Sequence, residues 1–393
     1  MISVEEAISI VLRNAQDFGV ESVPLQESVG RFLAEDIHAD RNFPPFHRVA
    51  MDGIALRKSD FDAGQRTFTI HGIQGAGEPA TVCPKGKAIE IMTGAVLPEG
   101  ADCVIRYEDT EVDENSRKVN VESVSIHQNV HQEGSDKRAG EILIRQNTKI
   151  GSGEIGILAT VGKHRVAVKK MPRVAIISTG NELVEVHQTP LPQQIRRSNV
   201  HTLLALLSTY SITGNEYHLI DDRHIIREKL QNILNRYDVV MLSGAVSKGK
   251  YDFLPDVLKE LRVVQHFHRV AQRPGKPFWF GSNQNTMVFA FPGNPVSTLA
   301  CAVRYFTPWL FTSLDLAFKP TKATLKIDVS FKPNLTYFIP VKLENHHGEI
   351  YGIPQPGNGS GDLANLTLAD GFMELPQGAD TYPAGKVFDV YGY

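Results

Sequence analysis

Between about residues 173 and 312, short runs of apolar and β-branched residues alternate with segments whose apolar residues recur every three to four positions. The runs cover 174–177, 216–220, 239–242, 263–267 and 287–291; the helix-period segments fall near 199–210, 224–237, 253–261 and 295–314. Near-continuous apolar strands leave no face for water, so they belong in a mostly parallel sheet with helices on both sides. The stretch predicts one doubly wound α/β domain of about 140 residues, a common domain size. Ligands of such sheets bind outside the carboxyl ends of the strands, which directs attention to the loops found there.

Those loops are rich in glycine, hydroxyls and acids. Ser178-Thr179-Gly180-Asn181-Glu182 follows the first run, Asp221-Asp222 the second, and Ser243-Gly244-Ala245-Val246-Ser247 the third, with Asp252 close behind. Pro292-Gly293-Asn294-Pro295-Val296-Ser297 follows the last and opens a helix, with proline at a favourable first-turn position. Backbone amides, hydroxyls and a helix start favour an anion such as phosphate. Glu182, Asp221 or Asp222, and Asp252 on the same rim would repel a bare phosphate, so a hard divalent cation between them is expected, and Mg²⁺ fits oxygen ligands best. Arg273-Pro274-Gly275-Lys276-Pro277 adds two cations around a tight turn. No P-loop lysine pattern and no GxGxxG occurs, which counts against nucleotide triphosphatases and dinucleotide enzymes.

The 393 residues exceed one domain at about 150 residues each. Ser3 and Glu6 form a capping box ahead of an amphipathic helix expected over about 4–18. A β-rich region follows from about 66 to 125, a helix near 154–161, and after Pro320 an all-β module. A net charge of −3 excludes a global field for nucleic acid or an acidic membrane. Three scattered cysteines fit a reducing compartment as small buried residues, and Glu5, Glu6, Arg13 and Asp17 interrupt any signal-peptide pattern. With no apolar run near eighteen residues, a cytoplasmic protein without a membrane span is expected.

Ser178-Thr179-Gly180-Asn181-Glu182-Leu183, Ser243-Gly244-Ala245-Val246-Ser247, Pro274-Gly275-Lys276-Pro277 and Pro292-Gly293-Asn294-Pro295-Val296-Ser297 resemble loops of the molybdopterin molybdenumtransferase family, which includes MoeA and the gephyrin E domain. The resemblance continues through Pro44-Pro45-Phe46 with Ala50-Met51-Asp52-Gly53, through Ile91-Met92-Thr93-Gly94-Ala95, and through Gly134-Ser135-Asp136 with Ala139-Gly140. It implies a MoaB-like central α/β domain (171–318), a discontinuous N-terminal domain (1–24 with 38–55 and 137–170), an inserted β-rich domain (25–37 with 56–136), and a C-terminal β domain (319–393). It implies molybdenum insertion into adenylylated molybdopterin with Mg²⁺-dependent release of AMP, the final step of molybdenum cofactor biosynthesis, with molybdate as co-substrate. It further implies a homodimer whose active site is shared between subunits, with a molybdopterin adenylyltransferase and molybdoenzyme maturation proteins as candidate partners.

Carried over by motif, the catalytic candidates are Asp52, Thr93, Asp136, Glu182, Asp221 and Asp252, with Glu182, Asp221 and Asp252 on the metal. The substrate-binding candidates are Ser178, Thr179, Gly180, Ser243, Gly244, Ser247, Arg273, Lys276, Pro292, Gly293, Asn294, Pro295, Ser297 and Ser360. The chain departs from the family pattern at His47, Val49, Ile54, His131, Ala245 and Arg273. In the C-terminal module Pro333-Asn334-Leu335-Thr336 replaces an arginine-bearing turn, for which Lys342 or His346/His347 are the candidate substitutes. Two other readings stand beside this one: an adenylyltransferase-type enzyme on the same α/β fold, and a non-catalytic pterin-binding or scaffold paralogue.

Overall fold

The computed structural model describes residues 1–113, 115–244 and 254–393. Its internal contacts divide it into two units: 1–23 with 27–34 and 167–393, and 24–26 with 35–166.

The first unit is built on a six-stranded sheet. In chain order its elements are α1 (Val4–Arg13), β1 (Val174–Thr179), α2 (Ser198–Ser208), β2 (Gly214–Leu219), α3 (Arg223–Leu234), β3 (Val239–Ser243), α4 (Leu254–Glu260), β4 (Val264–His268), β5 (Trp279–Ser282), β6 (Met287–Phe291), α5 (Pro295–Cys301) and α6 (Thr307–Ser313). The strand order is β2-β1-β3-β6-β5-β4. The first four strands are parallel, in register from Val174 opposite Val239 and Val239 opposite Met287, while β5 and β4 join antiparallel. The sheet is thus mixed, as a mostly parallel reading allows. The strand at 279–282 was not among the expected elements, since Trp-Phe-Gly-Ser between Pro277 and Asn283 is short and interrupted by glycine.

Successive residues of the central strands feed opposite cores, as a two-residue strand period requires. Val174, Ile176, Val239 and Met241 join one apolar cluster; Ala175, Ile177, Val240 and Leu242 join the other. Helix α1 buries Val4, Ala7 and Val11 in the first of these cores. It ends at Arg13, earlier than expected, because Asn14 turns its side chain onto Ile10 O and Gln16 N–H donates to Ser313 Oγ. The expected 295–314 helix is continuous but opens into a π turn over Ala302–Phe306. Pro308 follows, and its ring and missing N–H disturb the bonding of the preceding turn.

The C-terminal residues form β7 (Thr321–Leu325), β8 (Thr336–His346), β9 (Glu349–Pro354), β10 (Gly371–Leu375) and β11 (Val387–Gly392). The pairings β8–β9, β9–β7, β7–β11, β11–β10 and β10–β8 close a five-stranded barrel. Closure removes free edges. Ala323, Leu325, Ile339, Val341, Met373 and Leu375 fill it. Gln272–Arg273 pairs parallel with Thr336–Tyr337, so the cationic turn of the α/β domain is stitched to this barrel. A buried ion pair, Arg304 Nε to Glu374 Oε2 at 2.7 Å, joins them again.

The second unit holds a six-stranded sheet ordered Cys103–Arg106, Gly53–Leu56, Lys87–Ile91, Thr67–Gln74, Lys118–Val121, Thr110–Asp113. Ile54, Leu56, Phe68, Ile105 and Val119 pack on one side, and Ala55, Ile89, Ile91 and Val104 with Val49 on the other. Short ladders pair Arg48–Val49 with Val130–His131 and Ile37–His38 with Ile142–Ile144, and a helix covers Ser152–Thr160. All three cysteines are buried and unoxidised, with burial pushing the Cys83 thiol up to about 11. No helix among the described residues is long and apolar enough to cross a membrane.

Candidate functional site

The carboxyl ends of β1, β2, β3 and β6 lie on one rim because those strands are parallel. Hydrogen bonds connect the loops that leave them. Gly180 N–H donates to Leu219 O, Asp221 N–H to Asn181 Oδ1, and Gly244 N–H to Phe291 O. Two cavities open here, on either side of the 292–295 loop.

The smaller, about 310 Å³, is lined by Ser178, Thr179, Glu182, Arg196, Arg197, Ser198, Asn199, Ser243, Gly244, Gly293, Asn294 and Pro295, among others. Glu182 is exposed and folds back over Gly180. A Cβ at that glycine, which has φ +136°, would sit 2.5 Å from Glu182 Oε2, so a side chain there would displace the carboxylate. Ser178 is only 2% exposed. Its hydroxyl lies 3.4 Å from Arg197 Nη1 and 3.2 Å from His218 Nδ1. Arginine can only donate, so Ser178 accepts from it and can donate to His218. Arg197 itself is 5% exposed and pairs with Glu185 at 2.5 Å and Glu216 at 3.7 Å. Burial, and then the Arg197 charge, hold the His218 imidazole below its usual range. The bond from Arg197 similarly lowers the Glu185 carboxyl.

Asn199 Nδ2 donates to Ser243 Oγ at 2.8 Å and to Gly293 O at 2.7 Å, tying the end of β3 to the 292–295 loop. The carbonyl of Gly293 can only accept, which fixes the amide orientation. Asn199 Oδ1 and Thr179 Oγ1 are buried with no partner among the described residues.

The larger cavity, about 690 Å³, is bounded by the 272–277 turn, by Asn294, Val296 and Ser297 of the α5 start, and by the barrel through Leu335, Tyr337, Phe338, Pro340, 357–361 and Asn365. Among the described residues its lining contains two cations, Arg273 and Lys276, and no carboxylate. The turn is held from beneath by Gln272, which is fully buried. Gln272 Nε2 donates to Pro274 O at 3.0 Å, and Gln272 Oε1 accepts from Tyr305. Gly275 has φ +90°, and a Cβ there would lie 2.5 Å from Cys301 Sγ. Burial raises the Tyr337 phenol, against the opposing charge of Arg273. Asn294 Nδ2 donates to Ser360 Oγ at 2.7 Å and Val296 N–H to Ser360 O at 3.1 Å, so the 357–361 loop already rests on the start of α5.

The structure therefore brings Ser178, Thr179, Gly180, Glu182, Ser243, Gly244 and Pro292–Pro295 to the smaller cavity or its rim. It brings Arg273, Lys276, Ser297 and Ser360 to the larger one. Asp221 lies on the neighbouring strand end, while Asp222 caps α3 by accepting from His224 and Ile225 N–H. Ser247, Asp252 and the departure at Ala245 lie outside the described residues. Of the candidate substitutes for the missing arginine, Lys342 pairs with Asp370 at 2.7 Å and His346 with Glu344 at 2.9 Å, and neither is among the described residues that line the larger cavity. Arg197, Asn199, Gln272 and Tyr337 escaped the sequence reading. Arg196-Arg197-Ser198-Asn199, a polar tetrapeptide directly ahead of an apolar helix, was the available signal for the first two.

In the second unit, Thr93 N–H donates to Asp52 Oδ1 at 2.6 Å. That bond, helped by the Thr93 side chain, lowers the Asp52 carboxyl. Asp136 Oδ1 lies 2.8 Å from His131 Nε2. Both carboxylates are exposed.

Comparison with known proteins gives a consistent assignment. Residues 2–162 match the MoeA N-terminal region (domains I and II), 175–312 a probable molybdopterin binding domain, and 322–393 the MoeA C-terminal region (domain IV). Molybdopterin molybdenumtransferase of Synechocystis sp. is 40% identical, covering 100% of both chains. The protein of that name in Staphylococcus epidermidis is 32% identical, over 99% of this chain and 95% of its own. The crystal structure of the molybdopterin biosynthesis moeA protein from Pyrococcus horikoshii superposes with a TM-score of 0.83 at 29% identity, covering 100% of each chain. The chain belongs to the molybdopterin molybdenumtransferase family, enzymes of molybdenum cofactor biosynthesis.

Proposed function

We propose that the chain transfers molybdenum from molybdate to molybdopterin supplied as its adenylylated form, with Mg²⁺-dependent release of AMP. The observation that carries this reading is the pair of cavities sharing the 292–295 loop, one with two cations and no carboxylate among its described residues, the other with Glu182 at its edge. An extended ligand with an oxyanion at one end and a phosphorylated heterocycle at the other matches that division. Arg273 and Lys276 hold the oxyanion, and Ser297 and the neighbouring loop amides orient it. Thr179 Oγ1 and Asn199 Oδ1, without partners among the described residues, are the groups that a ligand's polar edge can satisfy.

The donor chemistry suits Mg²⁺. Glu182 and Asp221 are oxygen donors on linked loops, and Asp252 belongs to the same proposed set. Among the described residues no three His, Cys, Asp or Glu groups converge into a protein cage. Mg²⁺ is commonly held by one or two carboxylates and completed by substrate phosphates and water. Bound there, Mg²⁺ supplies positive charge that lets phosphate approach the carboxylates and stabilises the departing AMP phosphate. Asp52, Thr93 and Asp136 are proposed to complete the site of a partner subunit in a homodimer. The support is that Asp52 and Asp136 are exposed yet held in place by hydrogen bonds.

The test is AMP release from adenylylated molybdopterin by purified protein. Release that requires both Mg²⁺ and molybdate supports the reading. AMP-forming activity indifferent to molybdate, or adenylylation of molybdopterin from ATP, overturns it in favour of the adenylyltransferase alternative.

A further inference from the structure

The loop carrying Asp136 is laid along residues 42–48 by an unusually complete set of bonds. Phe43 N–H donates to Lys137 O, Asp136 N–H to Phe43 O and Gly134 N–H to Pro44 O, at 2.8, 2.9 and 3.0 Å. Asn42 Nδ2 donates to Glu133 Oε1 at 2.7 Å, and Ala139 N–H donates to Asn42 Oδ1 at 3.0 Å. These bonds fix the backbone. Two histidines add side-chain connections. Glu133 N–H donates to His47 Nδ1 at 3.1 Å, and Arg48 Nη2 lies 3.2 Å from His131 Nδ1. His131 Nε2 reaches Asp136 Oδ1 at 2.8 Å.

The chemistry of the partners dictates the proton positions. A guanidinium has five donors and no acceptor, and a backbone N–H only donates, so both Nδ1 atoms must carry lone pairs. Each ring is then neutral with its proton on Nε2. For His131 that proton points at Asp136, giving a directed chain from Arg48 through His131 to the carboxylate. The imidazole of His131 sits directly across the ladder from Arg48, because the strand register pairs those two residues. Ser135 Oγ also approaches Oδ1, at 3.4 Å, so both side-chain contacts fall on the same carboxylate oxygen.

We propose that His131 and His47 are positioning residues for Asp136. In this arrangement Arg48 fixes the His131 tautomer, His131 orients the carboxylate through Oδ1, and His47 holds the Glu133 end of the same loop. The geometry stands on its own, while its consequence for turnover rests on the proposed role of Asp136 in the reaction.

Two measurements separate these parts. Nitrogen-15 NMR of the full-length protein with labelled histidine, at pH about 7.5, reads the tautomers directly. Nε2-protonated neutral rings at 131 and 47 are expected, and Arg48→Met should mix the tautomers of His131 alone. An Nδ1-protonated or doubly protonated His131 in the wild type overturns the proposal whatever the activity.

The second measurement is molybdate-dependent AMP release. His131→Leu is expected to lower kcat roughly 10- to 100-fold, in line with small misplacements of a reacting group, with little change in KM. His131→Gln is expected to stay within about threefold of wild type, since its amide can accept from Arg48 and donate to Asp136. A Gln variant as impaired as the Leu variant, with both folded by circular dichroism, overturns the proposal. So does a Leu variant with wild-type kcat. If the wild type shows no such activity, the functional reading fails and the tautomer measurement still decides the positioning geometry.

Discussion

Around the larger cavity, Arg273 and Lys276 share a lining that holds no carboxylate among the described residues, whereas around the smaller one Arg197 lies between Glu185 and Glu216 and beside Ser178. The two cavities adjoin and share Asn294 and Gly361, yet among the described residues the larger has no carboxylate in its lining, whereas at the smaller Arg197 is paired within the protein. The difference teaches that a cation's neighbours, more than its presence, decide whether it serves a ligand or the fold. Composition alone could not have made the distinction, since a net charge of −3 hides both arrangements.

The largest effect should come from removing the positive charge of the larger cavity. Lys276→Ala combined with Arg273→Ala is expected to reduce kcat/KM for molybdate by about 100- to 1,000-fold, the scale for losing donors aimed at a reacting anion. Arg196→Ala, on the rim of the smaller cavity, should change it less than threefold. Equal losses in the two variants, measured by AMP release at varied molybdate, would erase the proposed division of labour.

The larger cavity also depends on the barrel keeping its place. Arg304 and Glu374 are 9% and 14% exposed at the side chain, and Arg304 lies over the Tyr391 ring at 4.8 Å. Glu374→Ala leaves a buried guanidinium uncompensated and is expected to cost about 3–5 kcal/mol in urea unfolding. Gly275→Ala should cost less, about 1–3 kcal/mol. The added methyl must push against Cys301 and Gln272 in a backbone conformation that favours glycine. A Gly275→Ala protein as stable as wild type would show that the cationic turn is looser than its packing indicates. Removing the Asn294–Ser360 bond by Ser360→Ala is a smaller change, about 1 kcal/mol. It should alter occupancy of the larger cavity before that of the smaller.

Much of this arrangement was legible in the sequence because it follows from periodicity and turn chemistry. The runs at 174–177, 239–242 and 287–291 identified parallel strands, and parallel strands place their following loops on one rim. Asp222 caps α3 by accepting from His224 and Ile225 N–H, the role an aspartate takes at a helix start. The chain did not disclose which polar groups the fold consumes. Ser178 and Thr179 are adjacent hydroxyls in the same loop motif, but strand alternation sends Ser178 toward Arg197 and His218 and leaves Thr179 Oγ1 without a partner among the described residues. Lys342 looked available for an anion until its cross-strand placement beside Asp370 was known. Such outcomes depend on pairing across distant segments, which no local pattern encodes.

The smallest and most specific prediction concerns protons in the neutralised cavity. The His218 imidazole is held below its usual range first by burial and then by Arg197. Between its folded value and the unfolded value of about 6.5, the unfolded chain binds more protons, so stability rises with pH across that interval. The contribution is complete above the unfolded value and is lost as pH falls toward the folded one. Glu185, lowered by its bond from Arg197, acts with the same sign in a more acidic window, below about 4.3 and down through its folded value. Urea midpoints between pH about 7.5 and about 5 should therefore decline more steeply for wild type than for His218→Gln. Replacing Arg197 by methionine should raise the His218 titration midpoint seen by NMR, though less than full exposure would. The cationic turn offers the contrast, because no imidazole is among the described residues that line the larger cavity. Lys276→Ala should therefore leave the pH dependence of stability between about 5 and 7.5 unchanged while abolishing the preference for an oxyanion. A Lys276 variant that flattens the stability profile as His218→Gln does would mean that the two cavities titrate as one electrostatic site.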